Sequence, residues 1–399
     1  MNKSPIFIHS LFRSGSTYLF KVFRRSDAQY WCYQESLHEA VIDANANPEY
    51  LLHDRGDELV LQLRHPQMDM PYFQELYETW PVWKNTLSAA AVYDNYFAPP
   101  NSDIGVTYWK MLAESGKNRP VFQECRTAGR IGAIKEQLEG YHIYLWRNPW
   151  DQWWSYKAAE YFDVANQLII NAQNPPAPVL ALRSALSFKT YAYVDIAAAF
   201  MYFWERPLSA EDSYLVFYML WCLGIKEGRA HANMTLNIDQ LSDSKVYRDE
   251  VKKQLKEAGV NEIDFSDCNV PQGYYLTQDK AFFSPLEEKV HDWLIAGGWS
   301  KSDLDQVLAL RQEFLPSSWG KPVDILNPEN LAQQVTLART LNRRLETRVA
   351  EISRENAIKV AHAEAKVQQA LLQLHSVYCS TSWVVTKPLR FFKRLIKGG

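Results

Sequence analysis

Four short apolar runs mark the first three quarters of the chain, and a stretch with helical spacing follows each of them. They lie at 6–8, 121–123, 141–146 and 234–238. Apolar runs of this length are typical of buried strands, and their alternation with helices is typical of a parallel sheet. The pattern predicts an α/β protein.

Two further apolar stretches, 192–204 and 214–225, are about a dozen residues long. A helix needs about 20 apolar residues to cross a bilayer, so both are predicted to be buried helices. The region 40–120 separates the first predicted helix from the strand at 121–123 and is predicted to be a helical insertion.

From residue 329 the chain loses Gly and Pro, and apolar residues recur at alternating spacings of four and three. This heptad pattern predicts a coiled coil over 329–375 and favours a parallel homodimer, or packing on a partner's helix, over a solitary charged helix. Asn342 and Asn356 occupy the same core position two heptads apart, which favours a defined register. The seam comprises Leu331, Val335, Ala338, Asn342, Leu345, Val349, Ile352 and Asn356.

Composition narrows the possible classes of protein. With 399 residues, 47% of them hydrophobic, the chain can bury a full α/β core. Its net charge of −3 gives no field that favours nucleic acid. Five cysteines without a C-x-x-C pair argue against a disulfide framework or a zinc site and favour a cytoplasmic location. Only three apolar residues separate Lys3 from His9, so no signal peptide is predicted.

The first strand leads into a loop, His9-Ser10-Leu11-Phe12-Arg13-Ser14-Gly15-Ser16-Thr17, and then into a helix. Such a turn directs backbone N–H groups and a helix N-terminus at one point, which suits a phosphate group. The loop lacks the Lys of nucleoside triphosphatase loops, and its cation is Arg13, two residues before Gly15.

A second strand–turn–helix unit begins about 130 residues later, at Tyr141. It carries Arg147 just past the strand, Pro149 in the first helical turn and Ser155 two turns further on. An arginine fork with a hydroxyl suits a second, separate phosphate.

These two motifs resemble, in order and spacing, those of the sulfotransferases that use 3′-phosphoadenosine 5′-phosphosulfate (PAPS). The first signature is [KR]-S-G-[ST]-T, and the second, R-[DN]-P-x-D-x-x-x-S, also matches at Asn148 and Asp151. The resemblance implies a three-layer, P-loop-like α/β domain over 1–325, in which the insertion at 40–120 forms an acceptor-binding wall. It implies that PAPS is the sulfate donor and that no metal is required.

The resemblance also assigns roles to residues. The 5′-phosphosulfate is expected at Arg13, Ser14, Gly15, Ser16 and Thr17, with Arg13 as the catalytic cation, and the 3′-phosphate at Arg147 and Ser155.

In the family that these motifs resemble, the general base is often a Glu at the end of the first helix and its following strand. Glu35 is the prediction, with His38 and Glu39 as alternatives.

Three further features are less specific. Arg126 and Arg130 are spaced to share a helical face, and they are expected either to flank the phosphates or to be surface cations. Asp239 matches the acidic position of a third, weaker family signature. The G-x-x-G-x-x-K element of the branch that conjugates small molecules has no counterpart before residue 320, which favours a carbohydrate-modifying member.

The segment 376–399 is basic and apolar at once, which suits an anionic membrane surface. It resembles a tail found after coiled coils in bacterial enzymes of surface-polysaccharide assembly. The resemblance implies a saccharide or glycolipid acceptor and a peripheral location at the inner membrane face. The matching residues are Ser380, Ser382, Trp383, Thr386, Pro388, Leu389 and Arg390.

Two other classes of function stay open at this stage. A small-molecule P-loop kinase would need a loop lysine and magnesium. A catalytically inactive scaffold of an assembly complex would keep the fold without the donor pocket.

Overall fold

The computed structural model describes residues 4–26, 30–52, 69–192, 195–273, 275 and 277–312, with scattered positions between 354 and 386. The chain divides into two compact units, 1–321 and 322–399. In the second unit, residues 365–373 are helical. The part of the predicted coiled coil from 329 to 353 lies outside the described residues, as does the tail apart from 376 and 386.

The first unit contains five strands in one all-parallel sheet, which confirms the predicted α/β class. The strand order is β2-β3-β1-β4-β5. The strands are β1 (Ile6–Ser10), β2 (Tyr30–Gln34), β3 (Arg119–Glu124), β4 (Tyr141–Trp146) and β5 (Met234–Asn237).

Helices surround this sheet and fill the long connections. The first five are α1 (Ser16–Arg24), α2 (Glu39–Asp43), α3 (Gln74–Trp83), α4 (Val106–Ser115) and α5 (Ile131–Gln137). The next five are α6 (Pro149–Tyr156), α7 (Tyr161–Ile170), α8 (Ala177–Ala185), α9 (Ile196–Trp204) and α10 (Ala210–His231). The last four are α11 (Ile238–Asp243), α12 (Lys245–Glu257), α13 (Thr277–Ala296) and α14 (Lys301–Gln312).

Both faces of the sheet are covered, because successive side chains of a strand point to opposite faces. Ile6 and Ile8 of β1 pack with α1, α11 and α12 on one face. Phe7 packs with α4 and α5 on the other. His9 is also fully buried there, and its Nε2 lies 3.0 Å from Nδ1 of His142 in β4. The sheet is the middle of three layers.

The connections leave β1 and β4 in opposite directions. From β1 the chain passes through α1 to β2 at one edge, and from β4 it passes to β5 at the other edge. In open parallel sheets, ligands bind outside the carboxyl ends of two neighbouring strands whose connections diverge in this way. The segments that follow β1 and β4 flank that crevice.

The two apolar stretches differ in burial. Most of α10 is buried, as predicted, but α9 exposes 54% of Met201 and 39% of Trp204. The prediction of a buried helix therefore holds only in part for α9, which buries a single stripe of Ile196, Ala199 and Phe203. Among the described helices, none has the length and apolar character needed to cross a membrane.

Candidate active site

The loop after β1, residues 11–15, is a tight turn. Arg13 and Gly15 have left-handed backbone conformations, with φ of 62° and 89°. A Cβ atom at Gly15 would lie 2.7 Å from Cγ1 of Ile238, so the close approach also requires glycine. Ser14 Oγ donates to the Leu11 carbonyl oxygen at 2.8 Å and stabilises the turn. The loop is thereby held at the start of α1.

The predicted loop hydroxyls differ in their surroundings. Ser16 Oγ lies 3.4 Å from Sγ of the buried Cys125, and both Ser16 and Thr17 are buried in the first turn of α1. The first amide groups of a helix have no carbonyl partner within it. The backbone at the start of α1 therefore offers donors to an anion, while Ser14 and Ser16 already contact protein atoms.

The two sequence motifs meet at one contact. Arg13 Nε donates to Ser155 Oγ at 2.9 Å, although 142 positions separate the residues in sequence. The Arg13 guanidinium also lies over the Phe162 ring, 5.3 Å from its centroid. Ser155, predicted to act beside Arg147, thus contacts the cation of the first motif.

Arg147 lies just beyond β4 and is buried. Its Nε lies 3.4 Å from Oδ1 of Asp239, and it donates a hydrogen bond to the Pro271 carbonyl oxygen. Asp239 Oδ2 accepts a hydrogen bond from the backbone N–H of Asn148 at 2.7 Å. Burial raises the pKa of Asp239 to about 6, against the opposing effect of Arg147. The weak third signature therefore lies beside the second one.

The turn after β4 is built by the predicted motif residues. Asn148 Oδ1 accepts from the Trp150 amide at 3.0 Å and caps α6, and Pro149 occupies the first helical turn. Asp151 accepts hydrogen bonds from the Gly273 amide at 2.7 Å and from the Tyr275 hydroxyl. The segment before α13 thus lies against this turn, which the sequence did not indicate.

Glu35 follows β2 at the same edge of the sheet. Its backbone has a φ of 39°, and its side chain is almost fully buried. Oε2 accepts from Arg126 Nη1 at 2.8 Å, and Oε1 accepts from the Tyr72 hydroxyl at 2.5 Å. The predicted base is therefore held by one cation and one hydroxyl.

Arg126 and Arg130 are fully buried, so the expectation of surface cations is wrong. Residues 125–130 form a loop, and α5 begins only at Ile131, so the helical spacing argument does not apply. Arg130 donates to backbone carbonyl oxygens of the insertion, at 2.9 Å to Asn95 and 2.6 Å to Ala91. Its described bonds therefore tie the fold together rather than flank a phosphate.

The two alternative bases lie in the same cluster. Arg126 Nη2 donates to Glu39 Oε2 at 2.7 Å, and the Tyr161 hydroxyl donates to Glu39 Oε1 at 2.6 Å. Burial opposes ionisation of Glu39, but Arg126 and His38 outweigh it and lower its pKa to about 2. His38 Nδ1 accepts from the Ala40 amide at 3.1 Å and caps α2.

Glu124, at the end of β3, was missed by sequence reasoning. It is fully buried and accepts hydrogen bonds from the Ser36 amide at 2.8 Å, the Leu37 amide at 3.3 Å and the Ser36 hydroxyl. Burial raises its pKa to about 7. The carboxyl group fixes the turn that carries Glu35, and only its place at the end of a predicted strand could have indicated this.

The described residues thus define an α/β protein whose polar residues converge at the carboxyl edge of a parallel sheet. Within that part of the chain, no group of three or more His, Cys, Asp or Glu side chains has a metal-binding arrangement. No family model, curated protein or solved structure matches this chain.

Proposed function

We propose that this protein is a PAPS-dependent sulfotransferase that transfers the sulfuryl group to a saccharide hydroxyl. The observation that supports this best is the 2.9 Å hydrogen bond between Arg13 and Ser155. It brings two motifs that resemble phosphate-binding signatures to one crevice between β1 and β4. A donor with both a 5′-phosphosulfate and a 3′-phosphate requires two such neighbouring sites.

The topology supports a P-loop-like architecture. β1 is the central strand and leads into a glycine-containing turn and α1, and helices cover both faces of the sheet. This places the start of α1 at the crevice, where its N-terminus favours an anion. In this proposal, Arg147 binds the 3′-phosphate, and the loop with Arg13 binds the phosphosulfate.

The reaction needs charge stabilisation and removal of one proton. The acceptor hydroxyl oxygen attacks sulfur, and the bond from sulfur to the bridging phosphate oxygen breaks. Arg13 stabilises the negative charge that develops on the leaving phosphate. Glu35, at the same sheet edge, accepts the proton of the hydroxyl.

The insertion supports a saccharide acceptor. It supplies the half-buried Tyr72 to the cluster around Glu35, and α7 supplies the half-buried Tyr161. Aromatic faces with hydroxyl groups can both stack on a sugar ring and bind its polar groups. The basic apolar tail further favours an acceptor of a bacterial surface polysaccharide or glycolipid, reached from the inner membrane face.

The proposal is tested by calorimetric titration with 3′-phosphoadenosine 5′-phosphate (PAP), the desulfated donor, in EDTA. We expect metal-independent binding by the wild type. In Arg147→Lys, loss of the planar fork should weaken PAP binding roughly tenfold or more. The matched control is Arg206→Lys, which makes the same change at an exposed arginine stacked over the Tyr202 ring.

The same titration with ATP and GTP plus magnesium distinguishes the alternative functions. A preference for magnesium nucleotides would overturn the proposal in favour of a kinase. Absence of binding to PAP and to both nucleotides would favour a scaffold. A thermal melt of each variant shows whether it is folded, so that unfolding is not mistaken for weaker binding.

A further inference from the structure

Two arginines four positions apart, Arg126 and Arg130, are equally buried but have different partners. The described hydrogen bonds of Arg130 run to backbone carbonyl oxygens. Arg126 instead forms ion pairs with two carboxylates, at 2.8 Å to Glu35 and 2.7 Å to Glu39. A buried guanidinium is costly to desolvate, and here two acids on different elements offset that cost.

Arg126 also contacts the loop after β1, residues 11–15, which is proposed to bind the sulfate donor. Its guanidinium lies over the Phe12 ring, 5.0 Å from the centroid, and Phe12 immediately precedes Arg13. The Phe12 carbonyl oxygen accepts from Gln152 Nε2 of α6 at 2.7 Å, which fixes this part of the loop. One side chain thus touches both the loop that carries the proposed catalytic cation and the proposed base.

We propose that Arg126 is the positioning residue of this site, holding Glu35 in register with the loop that carries Arg13. This inference rests on the proposed sulfotransferase function. Arg126 is fully buried and acts through Glu35 rather than on the substrate. Glu39 is its second partner and fixes the plane of the guanidinium from α2.

The partners of Arg126 suit this role. The ionisable groups that face it are Glu35 from the end of β2, Glu39 from α2, Glu124 from the end of β3, Tyr93 from the insertion and Tyr161 from α7. Glu124, whose pKa is about 7, is unchanged in every variant below, so its titration is common to all the pH profiles. Burial raises the pKa of both tyrosines, so they stay neutral donors or acceptors. Glu39, with a pKa of about 2, keeps its charge at every pH at which the protein would be assayed.

The charge balance predicts opposite effects for two substitutions. Arg126→Met removes the positive charge beside Glu35, so ionisation of Glu35 becomes less favourable. Glu39→Gln removes the competing carboxylate, so the guanidinium acts on Glu35 alone and ionisation becomes more favourable. A base must be ionised to work, so the acidic limb of the pH–rate profile should move to higher pH in the first variant and to lower pH in the second.

The experiment measures hydrolysis of PAPS with water as the acceptor. Water oxygen attacks sulfur, the bond to the bridging oxygen breaks, and sulfate and PAP are released while the proton passes to Glu35. Rates of PAP release are recorded from the lowest pH at which the protein stays folded up to about pH 9 for the wild type, Arg126→Met, Arg126→Lys, Glu39→Gln and Arg130→Met. Calorimetry with PAP and a thermal melt accompany each variant.

We expect Arg126→Met to lower the rate roughly tenfold or more, with PAP affinity within a fewfold of the wild type. Arg126→Lys should restore part of the rate, because a point charge can pair with one carboxylate but not bridge two. Arg130→Met should lower the melting temperature without moving the limb. Opposite shifts in Arg126→Met and Glu39→Gln support the proposal, because general destabilisation cannot produce them.

The positioning role is overturned if the acidic limbs of the Arg126→Met and Glu39→Gln profiles stay in place or move in the same direction. Either result leaves the proposed function intact. If Arg126→Met does not fold, Glu39→Gln alone decides by the direction of its shift. A wild type that binds no PAP, or releases none from PAPS, overturns the sulfotransferase function and this inference with it.

Discussion

Arg147 and Asp239 form a buried ion pair that joins the carboxyl ends of β4 and β5, with 3.4 Å between Nε and Oδ1. Asp239 also accepts a hydrogen bond from the backbone N–H of Asn148, at the start of the turn into α6. The cation proposed for the 3′-phosphate is therefore also a tie between neighbouring strands. Its removal should affect folding and donor binding together.

Arg147→Ala is expected to leave the Asp239 carboxyl group buried without its counter-charge. Breaking a buried pair in this way costs about 3–5 kcal/mol, and we expect a loss of that order in the free energy of unfolding. Urea denaturation measures it. The double variant Arg147→Ala/Asp239→Asn should recover part of the loss, and an equal loss in both variants would contradict a functioning pair.

Arg13→Ala should leave the fold intact, because Arg13 and its neighbour Ser155 are both only half-buried. It should lower turnover of PAPS by about a hundredfold or more, because a donor aimed at developing charge is lost. The measurement is PAP release at saturating PAPS. Turnover equal to that of the wild type would contradict the catalytic role of Arg13.

Gly15→Ala tests the geometry of the loop. The left-handed backbone at φ 89° and a Cβ atom only 2.7 Å from Ile238 should together destabilise the protein by about 2 kcal/mol or more. The companion variant Gly15→Ala/Ile238→Ala relieves the clash but not the backbone strain. It should therefore weaken donor binding less than Gly15→Ala does, as measured with PAP.

Glu124→Gln should stabilise the protein increasingly as the pH rises. The folded-state pKa of about 7 lies above the ordinary glutamate value of 4.5, so the folded wild type holds a proton that the unfolded chain has lost. Stability of the wild type therefore falls as the pH rises between these values, by roughly 3 kcal/mol at most. The amide does not titrate. The difference in melting temperature between variant and wild type should be larger at pH 8 than at pH 5.

Deletion of 376–399 should leave PAP binding unchanged and abolish sedimentation with anionic phospholipid vesicles. Each cation near such a surface contributes about 1 kcal/mol, so attachment through the basic tail should be reversible and sensitive to salt. Neutral vesicles are the control. Binding to anionic vesicles by the truncated chain would contradict a membrane role for the tail.

Local sequence patterns indicated four of the five described strands and the turns at the sheet edge, whereas no apolar run marked β2. The strands at 6–8 and 141–146 were recognisable because fully buried parallel strands are continuously apolar, and Pro149 marks a helix start wherever it occurs. The meeting of Arg13 with Ser155 follows once both strands are parallel neighbours. These features depend on short segments and on one general rule of topology.

The roles of Arg126 and Glu124 could not be predicted in this way. Glu124 is the last residue of β3, and Arg126 follows that strand. Their burial depends on residues of the insertion and of the turn after β2, which are distant in sequence. An arginine between polar neighbours has the same local signature on a surface as in a buried ion-pair cluster. Only the placement of Glu35 and Glu39 around it distinguishes the two.

The paired rings of His9 and His142, which lie inside the sheet, limit the stability of the fold at low pH. Burial holds the pKa of His9 well below its usual range and lowers that of His142 to about 4, so both rings stay neutral while the chain is folded. An unfolded chain takes up these protons below about pH 6.5, and the native state therefore loses stability as the pH falls towards 4. An acidified compartment would act on this protein through its central strands before it titrated the carboxylates on its surface.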